Sequence, residues 1–164
     1  MEHEGVNGSD TDTGTDTETT NRAAPVTLGA GHLEAIARHG EETFPDECCG
    51  ILLGRETNGR RVVESLLPID NTWDAEERRR RFLIQPGDLL RAEREARKAG
   101  LDVLGFYHTH PDSPARPSDF DRDHAWPWYT YLIASVMNGK YDVMTGWQLR
   151  DDRTMYDEVE VVSA

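Results

Sequence analysis

The feature that most constrains this chain is the run Gly105-Phe106-Tyr107-His108-Thr109-His110-Pro111. The residues leading into it, 101–107, are apolar and β-prone, which predicts a buried strand. Side chains two residues apart on a strand point to the same side. His108 and His110 are therefore expected to present both imidazoles to one point at the strand's end. Pro111, Pro114 and Pro117 stop regular structure and predict a stiff loop. Such a loop can return the chain so that Asp121, eleven positions past His110, reaches the same point.

Two imidazoles and one carboxylate with an open fourth position are the donor set of a catalytic zinc site, where a bound water has its pKa lowered to about 7. Chemistry of that kind needs a nearby carboxylate to move protons. The candidate is Glu47, in Pro45-Asp46-Glu47-Cys48-Cys49-Gly50, at the mouth of an apolar strand expected over 47–54. Ser118 and Asp121 also fit a plain capping box at a helix start, and the two roles are compatible.

His-Thr-His-Pro, seven residues to Ser118, two more to Asp121, and an upstream Glu-Cys-Cys-Gly before an apolar strand resemble the JAMM (MPN+) metalloprotease family. The resemblance spans roughly residues 26–150. The form E-C-C-G-I-L-L-G is most similar to stand-alone prokaryotic members, among them desampylases and peptidases of ubiquitin-like sulfur carriers. The resemblance implies an α+β fold, with a mixed, mostly antiparallel curved sheet flanked by helices, the MPN fold related to that of cytidine deaminases. It implies that His108, His110 and Asp121 hold Zn2+, that Glu47 is the general base, and that Ser118 hydrogen-bonds the oxyanion or the water. The implied substrate is an amide at the C-terminus of a small ubiquitin-like or sulfur-carrier protein. The alternative is a non-catalytic MPN-type scaffold or binding module that retains a metal. Scaffold versions usually lack the ligands, and here all are present. A zinc deaminase would need P-C-x-x-C, which is absent, and no G-x-S-x-G suggests a serine hydrolase.

The rest of the chain supplies the frame. Residues 1–25 hold six acids and one Arg with almost no large apolar side chain, which predicts a disordered acidic tail before a domain over 26–164. A helix is expected over 30–43, with His32 and His39 on its surface. Strands are expected over 61–69 and 82–84, and a helix over 86–98 begun by Pro86 and ended by Gly100. Strands 129–137 and 141–150 should pair as a hairpin across Asn138-Gly139, and 155–162 should close the sheet edge. Arg78 to Arg81 read as a solvated charge run, and Trp126, Trp128 and Trp147 as packing residues.

The net charge of −13 argues against a nucleic-acid partner. No membrane span or secretory signal is indicated, so a cytoplasmic protein is expected. Adjacent Cys48 and Cys49 read as buried packing residues rather than a disulfide. The sequence leaves the oligomeric state open.

Overall fold

The computed structural model describes residues 23–164, so the expected tail lies outside the described residues up to position 22. The elements run β1 (Val26–Leu28), α1 (Ala30–Thr43), β2 (Cys49–Thr57), β3 (Arg60–Ile69), α2 (Pro86–Ala99), β4 (Asp102–Pro111), α3 (Asp119–His124), β5 (Thr130–Met137), β6 (Lys140–Leu149), β7 (Tyr156–Val159) and β8 (Val161–Ser163). The two Asn-Gly turns behave as expected. Asn58 and Gly59, and Asn138 and Gly139, all have positive φ, the geometry that joins twisted antiparallel strands tightly.

One sheet of eight strands has the order β7-β6-β5-β4-β2-β3-β1-β8. β4 pairs parallel to β5, and β1 pairs parallel to both β3 and β8, while the remaining pairings are antiparallel. The sheet is thus mixed, as expected for this fold class. The final segment, expected as one strand, breaks at Glu160. The Glu160 carbonyl accepts the N–H of Val26 at 2.9 Å, so its backbone serves the opposite edge. β7 and β8 therefore lie on opposite sheet edges yet are joined by one residue, which forces the sheet to curl.

Each sheet face has its own core. On one side α1 covers Val26, Leu28, Leu104, Tyr107 and Leu132, inserting Ile36. A Cβ on Gly40 would come within 2.7 Å of Thr109 Cγ2, so α1 lies hard against β4 behind the histidines. His39, expected on the surface, is half-buried, with Nδ1 2.8 Å from the Tyr107 hydroxyl. On the other side α2 packs Ala92 and Ala96 against Ile51, Leu53 and Phe106. Each fully buried large side chain contributes about 1.5–3 kcal/mol. Gly100, at φ 69°, ends α2 in a left-handed cap.

The strand expected over 82–84 does not form, and this segment pairs with no strand. β2 already has β3 and β4 as neighbours, and the open edges of the sheet are β7 and β8, whereas residues 82–84 lead into α2, which packs over β2 and β4. The segment crosses the second face instead, where Phe82 stacks on the His108 ring with centroids 4.5 Å apart.

Candidate metal centre and active site

β4 lies between β2 and β5, and its C-terminal end carries His108 and His110 to the same face. His108 Nε2 is 3.1 Å from His110 Nε2. Asp121 Oδ2 is 3.4 Å from the first and 3.2 Å from the second. Three donor atoms around a tetrahedral zinc, at bonds of about 2.0–2.1 Å, would stand about 3.3 Å apart. The triangle has that size, so His108, His110 and Asp121 fit a small divalent cation and leave one position open. The three residues are the group among the described residues able to hold a metal ion.

The electrostatics suit the same use. Burial pushes the His108 pKa down against the opposing charge of Asp121, which favours the neutral ring that a metal requires. Burial raises the Asp121 carboxyl, but attraction to His108 whenever that ring is protonated, hydrogen bonds from His108 and His110 and the Ser118 N–H outweigh it. The carboxyl stays well below the usual carboxylate range. His110 Nδ1–H donates to the Pro114 carbonyl at 2.8 Å, leaving Nε2 free to bind. His108 Nδ1 is buried without a partner, and Phe82 packing holds that ring instead.

Glu47 comes to this face by register. Cys49 pairs with His108 across antiparallel β2 and β4, so Glu47, two residues earlier, continues on the His108 side opposite His110. It is 4% exposed, and its Oε2 has no hydrogen-bond partner. Burial, then the negative charge of Asp121, pushes its carboxyl up to about 9. Its backbone is clamped by the 71–81 loop. The Glu47 N–H donates to the Arg78 carbonyl at 2.7 Å, and Asn71 Nδ2 donates to the Glu47 carbonyl at 3.0 Å.

Ser118 caps α3. Its Oγ accepts the Asp121 N–H at 3.0 Å, and its N–H donates to Asp121 Oδ2 at 2.9 Å. The capping box thus orients the Asp121 carboxylate toward the histidines. The Ser118 O–H retains a proton to donate. Cys48 and Cys49 are buried and free, and burial raises both thiols, Cys48 to about 11, so they pack as neutral groups.

The model of prokaryotic homologs of the JAB domain matches residues 29–150. This chain belongs to the prokaryotic JAB family. A Haloferax volcanii desampylase is 36% identical over 115 residues, covering 67% of this chain and 80% of that protein. A probable TtuB-protein conjugate cleaving protease from Thermus thermophilus is 34% identical over 103 residues, covering 63% of this chain and 65% of that one. A solution structure of a Desulfitobacterium hafniense protein superposes with a TM-score of 0.74 at 33% identity, covering 85% of this chain and 92% of that chain.

In this JAB domain a cavity of about 630 Å³ opens directly onto His108 and Asp121. Its wall is aromatic, including Phe82, Phe106, Tyr129, Tyr131 and Tyr156. Sequence reasoning missed this cavity, because its residues come from five separate stretches with no shared spacing. Trp126, expected in core or rim packing, stands on the rim, 64% exposed at the cavity's mouth. The arginine run divides. Arg79 and Arg80 face solvent, whereas Arg78 lies 3.7 Å from Asp46 and Arg81 lies over the Phe120 ring at 4.4 Å. No helix among the described residues is long and apolar enough to cross a membrane.

Proposed function

We propose that this chain is a zinc-dependent peptidase or isopeptidase that cleaves the amide at the C-terminal tail of a small ubiquitin-like or sulfur-carrier protein. The observation that carries the reading is the 3.1–3.4 Å triangle of His108, His110 and Asp121 on the same face as a buried, unpartnered Glu47. Bound Zn2+ supplies Lewis-acid polarisation of the scissile carbonyl and of the attacking water. Glu47 takes the proton from that water and passes it to the leaving amine. Cationic charge beside Glu47 opposes the causes that raise its pKa, so the carboxyl can lose its proton near neutrality. The Ser118 hydroxyl donates to the carbonyl oxygen as negative charge develops there.

The substrate class draws on the relatives, one named a desampylase and another a probable conjugate-cleaving protease. The 82–84 segment has no strand partner and borders the cavity, so it offers backbone groups to a tail docking as an added strand. The cavity accommodates apolar side chains of that tail. A metal-retaining scaffold is the second reading, and the buried, unpartnered Glu47 carboxyl counts against it. Such a group costs stability and serves no packing role.

The test is incubation of zinc-loaded protein with conjugates of carriers ending in Gly-Gly, with and without a chelator. Cleavage after the last glycine, abolished by chelation and restored by zinc, is the expected result. Metal binding without cleavage of any carrier conjugate would favour the scaffold.

A further inference from the structure

Arg61 is the largest of the fully buried side chains, at 1% exposure. An arginine is almost never fully buried unless it is paired. Its guanidinium has three contacts. Nε donates to Glu56 Oε2 at 3.0 Å, one terminal nitrogen donates to Thr130 Oγ1 at 2.8 Å, and Cζ lies 4.1 Å from the centre of the Trp128 ring. Two of these contacts flank Tyr129, which lines the cavity beside the metal ligands.

Trp128 has φ 81°, a left-handed conformation that a bulky residue adopts at a cost. Its ring is partly exposed, so core packing alone does not hold it. Its neighbours Trp126, Pro127 and Tyr129 form one side of the cavity, and the Trp126 N–H is fixed by the Tyr131 hydroxyl at 2.8 Å.

We propose that Arg61 is a positioning residue for substrate binding: through Trp128 and Thr130 it holds residues 126–129 in the shape that forms the cavity wall. This rests on the proposed function, in which the cavity receives the substrate tail. Arg61 contacts none of the candidate ligands, Glu47 or Ser118, so its effect falls on binding rather than on chemistry. When the strut is removed, the wall must be ordered by the substrate itself, which weakens binding.

The experiment compares wild type with Arg61→Met, Trp128→Leu and Thr130→Val on one carrier conjugate. The indole resonance of Trp128 and amide exchange over 126–129 are followed in parallel. Arg61→Met should raise KM about three- to thirty-fold, the range of a partly desolvated cation–π contact, and leave kcat within about twofold and zinc content unchanged. Trp128→Leu should mimic it, and Arg61→Met combined with Trp128→Leu should be little worse than either alone. Arg61→Lys should restore only part of the effect, because one ammonium cannot reproduce the planar contact. A lower Tm with unchanged KM, or a lower kcat with unchanged KM, overturns the proposal. If Arg61→Met does not fold, the Trp128 and Thr130 variants decide by the same criteria. If wild type cleaves no conjugate, the proposed function fails separately. The strut is then judged by faster exchange confined to 126–129, and unchanged exchange there overturns it.

Discussion

His108 Nε2 and His110 Nε2 stand 3.1 Å apart, with the Asp121 carboxylate bordering both. Two imidazole lone pairs converge at that distance only with a proton or a cation between them. Zinc should therefore stabilise the protein, raising Tm by several degrees at concentrations well above its Kd. His110→Ala or Asp121→Ala should abolish the rise and leave substoichiometric metal by elemental analysis. Full loading of either variant would remove that residue from the ligand set.

Glu47→Gln keeps the shape of the side chain but not the base. It should retain zinc and lose about 10²–10⁴-fold in turnover.

The same variant carries a pH signature in the metal-free protein. The Glu47 carboxyl is raised from 4.5 to about 9 in the fold, so the native state holds its proton more tightly than the unfolded chain. Stability from this group is complete below about 4.5 and is lost as pH rises toward 9. Glu47→Gln has no such loss. Its Tm advantage over wild type should grow between those limits, as measured by thermal melts with chelator present.

Ser118→Gly separates capping from chemistry. Glycine at an N-cap costs only a few tenths of a kcal/mol, so Tm and zinc content should change little. Loss of the hydroxyl donor should lower kcat about 10²-fold. Wild-type turnover in this variant would leave Ser118 as a cap alone.

Asn71→Ala removes donors to the Glu47 and Arg81 carbonyls. Stability should fall by about 1–3 kcal/mol in denaturant unfolding, since a half-buried carbonyl loses its partner. Turnover should drop with zinc retained, because the backbone that fixes Glu47 is loosened.

Gly105→Ala tests the strand that carries the ligands. The added Cβ would lie 1.8 Å from the Thr130 carbonyl oxygen, so β4 and β5 must separate. Destabilisation of more than about 3 kcal/mol is expected, because relieving a clash with backbone disrupts the pairing of β4 with β5. Circular dichroism melts would measure it.

Local chemistry explains what could be anticipated. The i, i+2 spacing of His108 and His110 fixes a shared face on any strand, and the Ser118–Asp121 box is written in four consecutive positions. The helices were legible for the same reason, with Pro86 and Gly100 bounding α2. The failures are long-range. Residues 82–84 have strand-like composition, yet pairing depends on an open sheet position, and β2 had none. The last strand breaks at Glu160, whose carbonyl accepts the N–H of Val26, 134 positions earlier, a partner no local pattern reveals.

The amino-acid order alone therefore determined the donor types, their spacing and the elements that present them, since dihedral preferences and side-chain periodicity act over a few residues. Tertiary structure decided which distant groups meet: Glu47 opposite His110, the 71–81 loop clamped on Glu47, the aromatic cavity and the Arg61–Trp128 strut. Those relations depend on strand register and on which face each segment crosses, and both are settled by burial summed over the whole sheet.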